Sequence, residues 1–202
     1  MHIFLLVCCT ACAARGDSRR QTFDDFATPL PVKPGETLVL GIVGGWERWD
    51  NPARSIRRTA IDIKRLELNG IWVETVENHS LELAERLVRE AFDFNRDGKL
   101  GEDEAKQARV VLFGQSLGGR AALRLARTLN VLGVGVRLVA VVDAYGKDPY
   151  TVPPNVRAAA NWFQRDHLFI KGAPLLRAED HARTRILFNR KEIGRASCRE
   201  RV

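Results

Sequence analysis

The sequence predicts an α/β domain: a mostly parallel sheet with helices on both of its faces. Three observations predict it. The strand-like segments are continuous apolar runs, which suit strands buried on both faces, instead of the in-out alternation of a half-exposed sheet. Amphipathic segments with helical spacing alternate with those runs, the order that builds strand-helix-strand units. The chain has 202 residues, of which 45% are hydrophobic and 28% charged, enough for one domain with a sizeable core.

The elements follow in order. Residues 17–36 are polar and carry Pro29, Pro31, Pro34 and Gly35, so they read as a linker or an edge segment. Thr37 to Val43 (TLVLGIV) is a buried strand that ends at Gly44-Gly45. A helix follows with Ile56, Ala60, Ile63 and Leu66 spaced for one face, and Asn69-Gly70 is placed to cap its end. IWVETV is the next strand. SLELAERLVREAF is the next helix, with Ser80 at its N-cap and Leu83, Leu87 and Ala91 facing the core. Strand RVVLF, helix LGGRAALRLARTLN and strand VRLVAVVD follow. Beyond Asp143, AYGKDPYTVPPNV reads as a loop, RAAANWFQ as a short helix, and Arg183 to Asn189 as a last strand.

Two motifs carry chemistry. The first is Gly114-Gln115-Ser116-Leu117-Gly118, a G-x-S-x-G turn between an apolar strand and an alanine-rich helix. A strand can turn so sharply into a helix only where glycines permit close backbone approach, and the turn presents the serine as a nucleophile. A nucleotide-binding turn would need G-x-G-x-x-G or a phosphate-binding lysine, and neither is present.

The second motif is DFNRDGKLGEDE, residues 93–104. It satisfies D-x-[DN]-x-[DN]-G-x5-E, the spacing of an EF-hand-type calcium loop. Asp93, Asn95 and Asp97 would give side-chain oxygens, Lys99 its carbonyl, Gly101 a water-mediated contact and Glu104 both carboxylate oxygens. Gly98 permits the sharp turn, and Leu100 sits where the loop packs inward. Sensors pair two such loops. A single one predicts a structural clip for Ca2+, joining a helix to the nucleophile strand.

With VVLFGQSLGGRAALRLA and GIVGGWERWDNP, the chain from Thr37 to Asn189 resembles the α/β-hydrolase superfamily, in particular exported bacterial esterase- or lipase-like members. The resemblance implies a serine hydrolase acting on a small-molecule or lipid ester, with Ser116 as nucleophile. It implies oxyanion donors at Gly45 or Trp46 and at Leu117, with Trp46 and Trp49 as candidate pocket walls. It implies a triad in the order Ser, acid, His. Asp143 ends a strand after the nucleophile helix and is the expected acid, ahead of Asp148, Asp166 and Asp180. The histidine is expected in the loop after the last strand. His2 lies in the leader, His79 precedes the serine, and His167 and His181 precede the last strand, so none of them fits that position. The expected position falls where residues 190–202 begin. IGRASCRERV resembles a string found at the ends of unrelated assembled sequences, so the native frame is expected to diverge near Arg190 and to supply the histidine. A second reading is a non-catalytic calcium-binding protein on a hydrolase-like scaffold.

The remaining features bound the setting. Residues 1–14 read as a secretory leader with a cleavage site at Ala11-Cys12-Ala13, or as a lipoprotein leader with a lipid anchor at Cys12. Either predicts an exported protein. All four cysteines lie in the leader or at Cys198, so the body holds no disulfide framework, cysteine metal site or cysteine nucleophile. No apolar run reaches the ~18 residues that span a bilayer. The net charge is +7, and five basic and two acidic residues from Arg190 to Val202 supply three of those charges. The rest are scattered without an aromatic-interleaved stripe, which argues against nucleic acid as a partner.

Overall fold

The computed structural model describes residues 19–146, 150–164 and 175–191. Its centre is a six-stranded sheet in the order β2-β1-β3-β4-β6-β8. The strands are β1 (Thr37–Val43), β2 (Ile71–Glu77), β3 (Val110–Gln115), β4 (Val136–Val142), β6 (Ala158–Phe163) and β8 (Arg185–Lys191). Every neighbouring pair is parallel. Two short strands, β5 (Thr151–Val152) and β7 (Arg177–Ala178), form a separate parallel pair. Helices flank the sheet: α1 (Ser55–Arg65), α2 (Leu81–Ala91), α3 (Glu102–Gln107) and α4 (Leu117–Val131).

Successive residues of a strand face opposite sides, and β1 shows how this sorts the core. Leu38, Leu40 and Ile42 belong to the main cluster, which also holds Leu87 and Val88 of α2 and Leu125 and Leu129 of α4. Val39 points the other way and packs with Ala60 of α1 and Val73 of β2. Gly41 shares that second face because it must. A Cβ there would lie 2.5 Å from the Phe113 ring and 3.0 Å from Ile56, so the missing side chain makes room for both. On α2 the buried residues are Ala84, Leu87, Val88 and Ala91, one helical stripe, while Arg86–Glu90 and Arg89–Glu85 pair on the outer face. Among the described residues no helix is long and apolar enough to cross a membrane.

Two sequence expectations differ from the structure, and a third is decided between its alternatives. RAAANWFQ is not a helix: Ala158–Phe163 is β6, sandwiched between β4 and β8, with Ala159, Ala160 and Asn161 buried. Its alanines favour a helix locally, but ladder bonding on both edges overrides that preference. Asn69-Gly70 does not cap α1, which ends at Arg65; Gly70 (φ +72°) instead makes the turn into β2, and Leu66 is exposed. Of the two readings of the N-terminal polar segment, linker or edge segment, residues 19–36 fit the edge segment, lying along β2. Glu74, a buried residue of β2, accepts hydrogen bonds from the Ala27 N–H (2.8 Å), the Thr28 N–H (2.9 Å) and the Thr28 hydroxyl (3.0 Å), all on one carboxylate oxygen. Phe23, Phe26 and Val32 pack against the core from the same segment.

Candidate active site

In a parallel sheet all strands end at one edge, and the β3–α4 junction at that edge holds Ser116. It is the N-cap of α4 and has φ 55°, ψ −123°. An L-residue held there stores on the order of 1–3 kcal/mol of strain, which the surrounding packing must impose. Both flanking glycines are forced by close approach. A Cβ on Gly114 would lie 2.4 Å from the Gly118 carbonyl oxygen, and one on Gly118 would lie 2.1 Å from the Ile42 carbonyl oxygen. Helix α4 is thus seated directly on the backbone of β1 and β3, and that seating sets the tightness of the turn.

Asp143 stands at the end of the neighbouring strand, also at positive φ (49°). Two backbone bonds bracket it against the serine: Ser116 N–H to the Val142 carbonyl (2.9 Å) and Tyr145 N–H to the Ser116 carbonyl (3.2 Å). Its own N–H donates to Trp162 O (2.8 Å), and its Oδ1 accepts the Gln164 N–H. The structure therefore brings Ser116 and Asp143 to adjacent strand ends and fixes one oxygen of the carboxylate.

The β1–α1 loop closes the other side of the serine. A Cβ on Gly44 would touch Gln115 O (2.8 Å) and approach Ser116 Cβ (3.4 Å). Gly45 has φ +50° with open space around its Cα. Asn78 donates to the carbonyls of Val43 and Gly45. In a trans peptide the N–H opposes the C=O, so anchoring the Gly45 carbonyl on Asn78 turns the Trp46 N–H the other way. Among the described residues, no backbone acceptor takes the N–H groups of Gly45, Trp46 or Leu117. The Trp46 side chain is 95% exposed, whereas Trp49 is buried. The hydroxyl of Ser55, at the start of α1, bonds Gln115 Oε1 and ties α1 to the serine turn.

The described histidines do not complete this site. His181 lies in the turn before β8, at the edge where strands begin. Six residues of β3 separate the two edges by about 20 Å. His79 follows β2 at the serine's edge but two strands away, its Nε2 3.1 Å from Glu77 Oε2 and its ring 6.4 Å from that of Trp46. His2, His167, Cys12, Asp148 and Asp166 lie outside the described residues. In sequence, Asp166 comes three residues after Phe163, the last residue of β6.

The loop at 93–104 joins α2 to β3 at the edge opposite Ser116. Gly98 has φ +81° and Arg96 φ 60°. Asp93 accepts the N–H groups of Asp97 (3.1 Å) and Gly98 (2.9 Å), Asn95 accepts that of Asp97 (2.9 Å), and Asp97 accepts that of Lys99 (2.8 Å). Glu104 is buried and reaches back to the N–H groups of Asn95 (3.0 Å) and Gly101 (2.8 Å), closing the loop on itself. Leu100 and Phe94 both pack against the core. Among the described residues no cation pairs with Asp93, Asp97 or Glu104, and no three His, Cys, Asp or Glu side chains converge as a ready metal cluster. The donor set is all oxygen, three carboxylates and an amide, which suits a hard cation such as Ca2+. In this conformation those carboxylates are occupied by the loop's own N–H groups.

No family model matches the chain, and no curated protein matches it.

Proposed function

We propose that this chain is a serine hydrolase of the α/β-hydrolase kind that cleaves carboxylic esters. The observation that carries the reading is the conformation of Ser116, held at positive φ between a strand end and a helix start by two glycines that admit no Cβ. Strain of this kind is maintained where a side chain must be aimed.

In this reading Ser116 Oγ attacks the ester carbonyl carbon. The carbonyl oxygen takes the electron pair and becomes an oxyanion, facing the N–H of Leu117 and that of Gly45 or Trp46. The carbon–oxygen bond to the alcohol then breaks, and the alcohol leaves with the proton taken from the serine. Water attacks the acyl-serine by the same route and releases the acid. The proton passes through an imidazole oriented by a carboxylate, for which Asp143, at the strand end next to the serine's, is the candidate. Neither described histidine reaches Ser116, so that imidazole lies outside them.

The loop at 93–104 enters the same proposal as a structural calcium site. Asp93, Asn95, Asp97, the Lys99 carbonyl, Gly101 through water, and Glu104 would hold the ion. Bound Ca2+ would neutralise three clustered carboxylates at the connection between α2 and β3.

The test is covalent labelling of the full encoded protein by a fluorophosphonate probe, which reacts with activated serines. Labelling is expected in the wild type and absent in Ser116→Ala. Asp143→Asn and Asp166→Asn, compared for labelling rate, identify the acid. No labelling of the wild type, or labelling that survives Ser116→Ala, refutes the reading.

A further inference from the structure

The β1–α1 loop opens with a four-residue turn, Gly44 to Glu47, closed by the Glu47 N–H on the Gly44 carbonyl (3.0 Å). Its central peptide joins Gly45 to Trp46. Gly45 has positive φ (+50°) and Trp46 does not. That combination fits a type II′ turn. The related type I′ turn needs positive φ at both central residues and carries the central peptide turned over. The direction of this one peptide decides which N–H faces Ser116. We propose that Asn78, which no motif marks, sets that direction and is a positioning residue for the oxyanion. It holds the Gly45 carbonyl away from the serine, so that the Trp46 N–H, and not the Gly45 N–H, joins that of Leu117. The proposal rests on the hydrolase reading and deepens it.

The order of the strands gives the direction. β1 lies between β2 and β3, and all three run parallel. Asn78 follows the last residue of β2, and Ser116 follows the last residue of β3. The two therefore flank the β1–α1 loop from opposite sides at one edge of the sheet. The Asn78 amide donates to Gly45 O (2.5 Å) and to Val43 O (3.2 Å). Two carbonyl acceptors on that side fix which end of the amide is nitrogen. In a trans peptide the N–H opposes the C=O. A Gly45 carbonyl drawn towards the end of β2 thus sends the Trp46 N–H towards the end of β3. The loop lies against the serine there, since a Cβ on Gly44 would stand 3.4 Å from Ser116 Cβ.

Asn78 is itself held in place. The Glu77 N–H donates to Gln21 Oε1 (3.2 Å), and the Ser80 N–H donates to the Glu77 carbonyl (3.0 Å). His79 Nε2 lies 3.1 Å from Glu77 Oε2. A donor can be aimed only by a group that is itself fixed. The charge on the substrate oxygen develops in the transition state, so a donor aimed in this way acts on kcat more than on KM.

The experiment is hydrolysis of p-nitrophenyl butyrate by the full encoded protein, with kcat and KM separated. Asn78→Ala is expected to lower kcat by about tenfold, the scale of one or two neutral hydrogen bonds, with KM changed by less than about twofold. Asn78→Asp sets a carboxylate against two carbonyl oxygens and is expected to lower kcat by about 100-fold, the scale of one lost oxyanion donor. A second pair tests the donor itself. The Trp46 side chain is 95% exposed and its φ is not positive, so proline fits at this position. Trp46→Pro removes the N–H, and Trp46→Ala keeps it. The proline variant is expected to have a kcat about 100-fold below that of the alanine variant. Thermal melts of all four variants report the folded fraction. A wild type without turnover overturns the hydrolase reading and this proposal with it. Turnover by the wild type, with Asn78→Ala at wild-type kcat or Trp46→Pro as fast as Trp46→Ala, overturns this proposal alone. A loss confined to KM, or matched by an equal loss of folded protein, leaves Asn78 a purely structural role and also overturns it.

Discussion

Replacing Gly118 by alanine tests the packing that shapes the serine turn. The new Cβ would stand 2.1 Å from Ile42 O and 2.7 Å from Val43 O. A comfortable carbon–oxygen contact is about 3.3 Å or more, so α4 must retreat from β1 by about 1 Å. Added methyl groups in well-packed sites cost roughly 1–3 kcal/mol. Backbone atoms of a central strand cannot swing aside as a side-chain tip can, so the upper end applies and the expected loss is about 3 kcal/mol. For a domain of this size that lowers Tm by about 6–12 °C. Gly135→Ala is the matched control. Its Cβ would meet nothing within 4 Å and its φ is unexceptional, so a gain of about 0.4–1 kcal/mol is expected from restricting the unfolded chain. Urea unfolding followed by far-UV circular dichroism reads both, with m unchanged as evidence that stability alone moved. If Gly118→Ala lies within ~0.5 kcal/mol of wild type, α4 is not seated on β1 as described, and the strained serine loses its structural cause.

Three further predictions concern other parts of the molecule. Ca2+ at about 100 times its Kd should stabilise the protein by about 2.7 kcal/mol, and Glu104→Gln should abolish the effect in a thermal melt; a shift that persists removes the loop from the calcium site. Glu74→Leu should destabilise by about 1–3 kcal/mol and expose residues 19–32 to limited proteolysis, because the N–H groups of Ala27 and Thr28 lose their buried acceptor; unchanged proteolysis would refute the clasp. Glu36 is held below its ordinary value of 4.5 by the Trp72 indole N–H (2.6 Å) and then by the Lys33 N–H (3.0 Å). A carboxylate lowered in the folded state stabilises it above the unfolded value, and that contribution disappears as pH falls through the folded value. The stability difference between wild type and Glu36→Gln should therefore shrink from pH 6 towards pH 3 (about the range that brackets both forms), and a difference independent of pH contradicts the assignment.

The parts of the fold that were legible in sequence share a physical cause. Thr37–Val43 reads as a strand and is one to the residue, because a continuous apolar run ending in two glycines has few other uses in a short segment. The G-x-S-x-G turn was legible because its glycines answer to backbone contacts four residues away or in the neighbouring strand. Ala158–Phe163 was not, since its strand character comes from β4 and β8, which are distant in sequence.

The Gln21 side chain has a consequence beyond its own segment. Its amide donates to Thr75 O (2.8 Å) and accepts the Glu77 N–H (3.2 Å), so it occupies one rung on the outer side of β2. An open strand edge invites the edge of another molecule to add to it. Gln21 fills that rung with a side chain that cannot propagate a ladder. The opposite edge, β8, is guarded differently, by Arg185, Arg190 and Lys191. Among the described residues the two borders of the sheet thus differ, with a side-chain plug on one side and charge on the other. Gln21→Ala would leave the first border open to aggregation while the fold stays intact.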